Sequence, residues 1–262
     1  NSKVTKLKTK NNSSKEILIN SKKKVKINTH DTIISTLPIS LTSVLLGQKS
    51  RLKFNGVRSV YVSVKKQRVL PKKVNWLYFP DKELVFNRVS EASTMTKTVS
   101  PKNKTYLTCE ISFSKNDKID KMSFNELKKR VKKNLLKIKL IKNEKELDGI
   151  SENKENFVYP VQFVNYRGEL AKTKQYVEQF KQIYSLGTGG EFDYADSQII
   201  FHKSMDLADI IDQKYNDETQ VKKNTILTKL NNNVKLGSKI VGNGFKPFII
   251  AEAGLNHNGN VK

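Results

Sequence analysis

The segment Leu186–Asp196 reads LGTGGEFDYAD and has three glycines within four residues of the 262-residue chain. We call it the glycine segment. Glycine lacks a Cβ atom, so the backbone can adopt positive φ angles and approach a ligand closely. Backbone N–H groups at such a turn can bind the phosphates of a dinucleotide. The residues alone leave a second interpretation open, in which the segment only connects the apolar stretch 184–186 to a following helix.

Upstream of the glycine segment, alternating apolar and polar residues with many β-branched and aromatic side chains predict a sheet. Its strands are expected at Val57–Val64, Trp76–Phe79, Leu84–Val89, Thr105–Phe113 and Phe157–Tyr166. Helices are predicted at Pro38–Leu46, after the capping box Ser123–Glu126, at Gly168–Tyr184 and at Met205–Gln213. The expected fold class is therefore α+β, with a mixed or antiparallel sheet and packed helices.

Composition divides the chain into four predicted parts. Residues 1–15 are rich in Lys, Asn and Ser and are expected to be disordered, whereas residues 16–215 carry the periodic segments. Residues 216–243 lose periodicity and are predicted to be a linker, followed by an apolar strand within residues 244–262. Because the chain starts at asparagine and ends soon after that strand, we expect both ends to be truncated.

The formal charge of +24 raises the question of a nucleic-acid partner. Only six of the 49 basic residues are arginine, the side chain suited to bidentate recognition of phosphates and bases. We therefore predict a solvated lysine-rich surface and no nucleic-acid binding. No apolar run approaches the roughly 20 residues that a membrane-spanning helix needs, so a cytoplasmic protein is expected. The single cysteine, Cys109, excludes an internal disulfide and a multi-cysteine metal site.

Three pieces within residues 16–215, taken in order, resemble the C-terminal half of flavin amine oxidases, a group that includes protoporphyrinogen oxidase and UDP-galactopyranose mutase. The first piece is Asp31–Pro38, which resembles the strand and turn that return the chain to the flavin domain. The second resembles the substrate-domain sheet and comprises Trp76–Asp81, Phe86–Glu91 and Tyr159–Pro160. The third is the glycine segment, which resembles a turn that contacts the FAD diphosphate in that family.

The resemblance implies FAD as the cofactor and an incomplete, Rossmann-like FAD-binding part. The residues implied to contact FAD are Gly187, Thr188, Gly189, Gly190, Phe192, Tyr194 and Asp196, together with Ser35, Thr36 and Pro38. Thr188 stands where the family usually has arginine. No GxGxxG turn precedes residue 187, so we expect FAD to bind only if the missing half of its site is supplied. No catalytic residue is identified.

The tail segment Phe248–Gly259 reads FIIAEAGLNHNG, and residues 238–262 resemble the start of the sialic acid (N-acetylneuraminate) synthase family. In that family the segment is the first strand and loop of a TIM barrel, which condenses phosphoenolpyruvate with an N-acetylated hexosamine using a divalent metal. The resemblance implies substrate contacts by Glu252, Asn256, His257 and Asn258. A barrel takes about 250 residues, so only its first strand would be present, without the metal ligands.

Together these resemblances predict a fragment of an FAD-dependent oxidoreductase linked to cell-surface polysaccharide or nonulosonic (sialic-type) acid biosynthesis. We expect it to be inactive alone and its substrate to be a nucleotide sugar or a glycan precursor. One alternative is a synthase-family protein represented only by its first strand. Another is a non-catalytic sugar-nucleotide-binding or scaffold module, which Thr188 favours.

Overall fold

The computed structural model describes residues 3–28, 31–96, 100–219, 234–236 and 239–241. The chain divides into two compact units, residues 1–212 and 213–262. The first unit contains a three-stranded antiparallel sheet, a two-stranded parallel sheet and a five-stranded antiparallel sheet. The α+β class predicted from the sequence therefore matches the mixed α/β architecture of the described residues.

The strands are β1 (Val4–Lys10), β2 (Ser13–Ile19), β3 (Lys23–Lys26), β4 (Ile33–Ser35), β5 (Phe54–Val64), β6 (Trp76–Tyr78), β7 (Arg88–Glu91), β8 (Thr105–Phe113), β9 (Leu147–Pro160), β10 (Ile183–Ser185), β11 (Val234–Leu236) and β12 (Lys239–Val241). The helices are α1 (Ile39–Leu46), α2 (Lys118–Lys121), α3 (Phe124–Lys137), α4 (Tyr166–Glu178), α5 (Gly187–Glu191) and α6 (Ser197–Thr219).

The five-stranded sheet has the order β6-β7-β8-β5-β9 and packs one face against α3. Alternate residues of β5, including Val60 and Val62, are fully buried there because successive side chains of a strand point to opposite faces. They meet Leu127 and Leu135 of α3 in one apolar core. Cys109 of β8 is also buried in this core, as a small apolar side chain. Burial raises the pKa of its thiol well above the usual range.

Two residues of charged type are buried in this sheet, and both have partners. Arg58 of β5 is 2% exposed, and its Nη2 donates to both carboxylate oxygens of Glu152 on β9, at 2.9 and 2.7 Å. Glu91 of β7 is fully buried and accepts hydrogen bonds from the N–H groups of Val69 and Leu70, at 2.9 and 2.7 Å. Both polar groups therefore satisfy the rule that buried charges are paired or hydrogen-bonded.

A second core lies between the three-stranded sheet, α1 and α4. Its buried members include Leu7 of β1, Ile39 of α1, Val177 of α4 and Phe54 at the start of β5. The parallel strands β4 and β10 border this core and pair with Ile183 opposite Ile33. The second core therefore lies beside the segments that resemble the flavin domain.

The N-terminal residues differ from the expectation of a disordered stretch over residues 1–15. β1 and β2 pair as a hairpin, and Asn11 and Asn12 take φ angles of 50° and 55° at its turn. Positive φ at both central residues is what a tight two-residue hairpin requires, and asparagine tolerates it. The high lysine content concealed a strand whose alternate residue Leu7 is buried.

Three further boundaries were wrong. The strand predicted at 157–166 is instead the longer β9, which begins at Leu147; its polar sequence suits an edge strand that pairs only with β5. The helix predicted at 168–184 ends at Glu178, because Ile183 pairs in β10. The strand predicted at 84–89 corresponds to β7, which begins four residues later and ends two residues later.

Beyond residue 196 the bounds of the helices and strands differ from those predicted. α6 begins at Ser197 instead of residue 205 and continues to Thr219, past the start of the predicted linker 216–243. The hairpin of β11 and β12 lies within that linker. The predicted barrel strand, with the stub 244–262, lies outside the described residues.

Candidate functional site

The parallel pair β4–β10 brings the glycine segment to the corner that follows β4. Ser185 pairs with Ser35 in register, and the Leu186 N–H donates to the Ser35 carbonyl oxygen at 3.0 Å. We call Ser35–Pro38 the corner segment. The two segments that the sequence analysis assigned to one FAD site are therefore neighbours in space.

The glycines of α5 make close backbone contact with the corner segment. A Cβ atom added to Gly190 would lie 2.9 Å from the Ser35 carbonyl oxygen, and one added to Gly189 would lie 3.3 Å from the Pro38 nitrogen. Gly187 has φ +85° and open space where a Cβ would be. Packing within the protein therefore requires a glycine at position 190 and leaves little room for a Cβ at position 189, whereas Gly187 is required by its backbone angle and leaves room beside the turn.

Phe192 is placed differently from the other residues implied to contact FAD. It is 2% exposed, has a left-handed φ of 58°, and packs its ring 5.1 Å from Phe54 and 6.0 Å from Tyr166. Its side chain lies in the second core, so it anchors the glycine segment and does not line a ligand surface. Thr36 and Asp196 are exposed.

The Ser35 hydroxyl is also committed to the protein interior. It lies 2.8 Å from the Thr42 hydroxyl of α1, in a buried hydrogen bond. Pro38 is the N-cap residue of α1. The side chains of these two residues therefore shape the corner segment, and a ligand there would meet its backbone and Thr36.

Lys203 of α6 pairs with the acidic end of the glycine segment. The sequence analysis did not predict this contact. Its ammonium lies 3.1 Å from the Glu191 carboxylate and 3.3 Å from that of Asp193. Burial disfavours the charged form, but the two carboxylates outweigh it, so the pKa of Lys203 is raised. The only sequence signal was a basic residue among acidic ones, which gives no partner.

Tyr194 connects the glycine segment to the five-stranded sheet. Its ring is 66% exposed, and its centroid lies 5.2 Å from that of Tyr159 on β9. Burial raises the pKa of the Tyr159 phenol, and the nearby Tyr194 and Glu110 raise it further. Tyr159 was part of the predicted substrate-domain piece, so this contact joins the second and third pieces of the resemblance.

The face of this sheet opposite α3 presents a row of polar and aromatic side chains. Cross-strand register places Tyr78, Arg88, Glu110, Ser59 and Asn153 side by side on the five strands. Arg88 donates to Glu110 through Nε at 2.8 Å and Nη2 at 2.7 Å, and its guanidinium lies 5.7 Å from the Tyr78 ring centroid. We call this surface the open face.

Arg88 is the most tightly held charge of the open face. Burial disfavours its positive charge, but the bidentate pair with Glu110 and the Tyr78 hydroxyl hold the pKa of the guanidinium above its usual range. The alternation of β7 and β8 predicted two strands with polar outward residues. It did not predict that Arg88 and Glu110 stand opposite each other, because pairing register is a property of the fold.

A cavity of about 220 Å³ lies beside the glycine segment, lined in part by Ile39, Ser185 and Gly190. The Ser185 hydroxyl oxygen is buried and has no hydrogen-bond partner among the described residues. Ligand sites usually enclose about 300–1,000 Å³. The cavity beside the glycine segment is therefore smaller than a ligand site usually is.

Within the described parts of the chain, no three His, Cys, Asp or Glu side chains gather as a metal site. None of the helices formed by those residues combines the length and apolar character needed to cross a bilayer. The four residues implied to bind a synthase substrate, Glu252, Asn256, His257 and Asn258, lie outside the described residues.

Comparison with solved structures identifies the fold. The chain is similar to reduced UDP-galactopyranose mutase with a TM-score of 0.58 and 22% identity, over 69% of this chain and 39% of that one. It is also similar to a protoporphyrinogen oxidase candidate from an Exiguobacterium species, with a TM-score of 0.54 and 15% identity, over 72% and 42% of the two chains. No protein-family model matches the sequence, and no curated protein is significantly similar to it. The chain thus spans less than half of these structures, and it shares the fold of the matched part of each.

Proposed function

We propose that the chain is part of an FAD-dependent oxidoreductase in which the glycine segment and the corner segment hold the FAD diphosphate. The observation that carries the proposal is the β4–β10 pair, which sets these two segments in direct backbone contact. They are the segments that the resemblance assigns to one cofactor. When bound, FAD would supply two-electron oxidation chemistry.

The local geometry supports a partial FAD site. Gly187 leaves open space beside the turn, and the Ser185 hydroxyl beneath it has no partner among the described residues. Gly189 and Gly190 let the turn lie against the corner segment without a Cβ between them. The two backbones are therefore close enough for one phosphate-bearing ligand to reach both.

The parallel pair also supports a requirement for further strands. Among the described residues β4 pairs only with β10, and Ile34 of β4 is 51% exposed. Parallel sheets are normally larger and covered on both faces. We therefore propose that tight FAD binding needs additional strands beside β4, consistent with a chain that covers 39% of the mutase structure.

An NMR titration tests this proposal even if the affinity is low. We expect FAD and ADP to shift the amide resonances of Gly187, Gly189 and Gly190, because both carry the diphosphate. Riboflavin, which lacks phosphate, should not shift them. Gly149 of β9 and Gly168 of α4 serve as internal controls, because both lie outside the glycine segment and the corner segment.

Two results would contradict an FAD site at this position. The first is that the amide resonances of the three turn glycines do not shift when FAD is added up to its solubility limit. The second is an equal response to riboflavin and ADP, which would show that the diphosphate is not recognised. Either result would favour the non-catalytic scaffold, the alternative that Thr188 in place of arginine supports.

The substrate and the pathway are proposals at a finer level. UDP-galactopyranose mutase acts on a nucleotide sugar by its name, and we propose the same substrate class, or a glycan precursor, for this chain. Tyr78, Tyr159 and Arg88 on the open face support a ring-bearing polar substrate. The proposed link to nonulosonic acid biosynthesis rests only on the tail motif 248–259, which lies outside the described residues.

A further inference from the structure

The N-terminal sheet concentrates positive charge. Residues 3–28 contain nine lysines and one acidic residue, Glu16, a density of lysine well above that of the whole chain. The same residues include no arginine and no aromatic side chain. The lysines of this stretch are Lys3, Lys6, Lys8, Lys10, Lys15, Lys22, Lys23, Lys24 and Lys26.

Strand pairing places four of these lysines on one face. Lys6 stands opposite Leu18, which stands opposite Lys24; in the next row Lys8 stands opposite Glu16, which stands opposite Lys26. All four lysines are exposed. The other face carries Leu7 and Ile17, which pack in the second core. The lysine face, defined by these two rows, is therefore turned away from the protein interior.

A single carboxylate is surrounded by these lysines. The Lys8 ammonium lies 2.8 Å from Glu16 Oε1. This contact, and the charges of Lys24 and Lys26 beside it, lower the pKa of the Glu16 carboxyl despite some desolvation. Within the described residues Lys6, Lys24 and Lys26 form no ion pair, so the lysine face keeps a positive excess.

The chemistry of this face selects among polyanions. Readout of nucleic acids relies on the arginine fork and on aromatic rings that stack on bases, and residues 3–28 contain neither. Lysine is a point charge without directional demand, and anionic lipid headgroups attract such charges wherever they lie near the surface. A second copy of this chain, with a charge of +24, would be repelled.

We propose that the lysine face binds the surface of membranes that carry anionic lipid headgroups. Binding is peripheral and electrostatic, with Lys6, Lys8, Lys24 and Lys26 near the headgroups and Leu18 between them. It requires no change in the second core, because Leu7 and Ile17 point the other way. The proposal is independent of FAD.

Co-sedimentation with vesicles tests the proposal. The full chain is mixed at low salt with neutral vesicles and, separately, with vesicles that contain anionic lipid. The triple variant Lys6→Gln, Lys24→Gln, Lys26→Gln should lower the partition coefficient on anionic vesicles on the order of a hundredfold, since each lysine near the surface contributes about a fivefold effect. A matched variant changes the exposed lysines Lys115, Lys129 and Lys133, near and on α3, to glutamine. It loses the same net charge and should weaken binding by less than about threefold, because charges away from the contact surface are screened.

A variant that is expected to strengthen binding distinguishes a loss of docking from a loss of the folded structure. Glu16→Gln removes the one carboxylate of the lysine face and should strengthen binding to anionic vesicles, which a damaged fold would not do. Unchanged thermal melting of each variant verifies the fold. Single-stranded and double-stranded oligonucleotides at the same phosphate concentration form the comparison arm.

Three outcomes would overturn the proposal. They are equal losses in the two triple variants, weaker binding by Glu16→Gln, or a dependence on the lysine face for oligonucleotides but not for vesicles. The last result would assign the face to nucleic acid. Loss of vesicle binding in the first triple variant alone, with a gain in Glu16→Gln, would support it.

Discussion

Beneath α3 the five-stranded sheet buries apolar side chains of β5, β7 and β8, whereas the parallel pair β4–β10 leaves Ile34 51% exposed. Val60 and Leu107 of the sheet and Leu127 of α3 are completely buried in this one core. The parallel pair relies instead on α1 and α4 for its cover, and β4 has one paired edge among the described residues. The comparison indicates that the five-stranded sheet with α3 forms its own core, whereas the parallel pair depends on its neighbours.

The largest expected effect tests the core between the five-stranded sheet and α3. Phe86 is 1% exposed and packs its ring 5.6 Å from that of Phe79 in the core under α3. Phe86→Ala should lower the free energy of unfolding by about 3–5 kcal/mol, from lost transfer energy and the cavity left behind. Denaturant titration measures it. Val164→Ala, at a residue that is 86% exposed, is the control and should change stability little. A comparable loss in both variants would show that this core does not dominate stability.

A smaller effect tests the contact between the glycine segment and the corner segment. Gly190→Ala places a methyl group 2.9 Å from the Ser35 carbonyl oxygen, and overpacking of this kind typically costs about 1–3 kcal/mol. Gly168→Ala meets no other group and lies in α4, so it should stabilise by about 0.5–1 kcal/mol. Thermal melting of the two variants should therefore shift in opposite directions. Equal shifts would argue that α5 does not lie against β4.

The smallest effect concerns the ion pairs of Lys203. Lys203→Met should cost at most about 1 kcal/mol, because partly exposed ion pairs contribute little. The pKa of Lys203 is raised in the folded protein, so this contribution is present below the unfolded-state pKa and is lost as the pH rises through the folded-state pKa. The stability difference from the parent chain should thus shrink at alkaline pH and at high salt. Lys172→Met on exposed α4 is the control. A difference that is constant with pH would exclude the ion pairs as its source.

The sequence predicted helices and strands well where the apolar residues followed a single helix or strand period. The serine half of the predicted capping box is present, since the Ser123 hydroxyl accepts from the Glu126 N–H at 3.2 Å, whereas the Glu126 carboxylate pairs with Arg130. The strands at β5 and β8 agree closely with their alternation. It failed at β1, where lysines concealed the alternation around Leu7, and at β9, where an edge strand is polar. Local composition does not specify which strand lies at an edge.

The candidate site likewise has parts that the sequence predicted and parts that it did not. Glycine spacing and resemblance predicted which segments belong together, and the β4–β10 pair places them in contact. Neither could predict that Phe192 turns into the second core or that Lys203 pairs with Glu191, because both depend on the relative placement of distant elements. Whether these residues bind FAD stays a prediction.

Cys109 offers a way to measure how often the five-stranded sheet opens. The single thiol is fully buried in the centre of the five-stranded sheet, and burial keeps it protonated, so a thiol-reactive dye cannot modify it while the sheet is closed. The labelling rate therefore reports how often this sheet opens, and it does not respond to motions confined to the parallel pair β4–β10. The chain thus already contains a probe for the opening of one of its two cores.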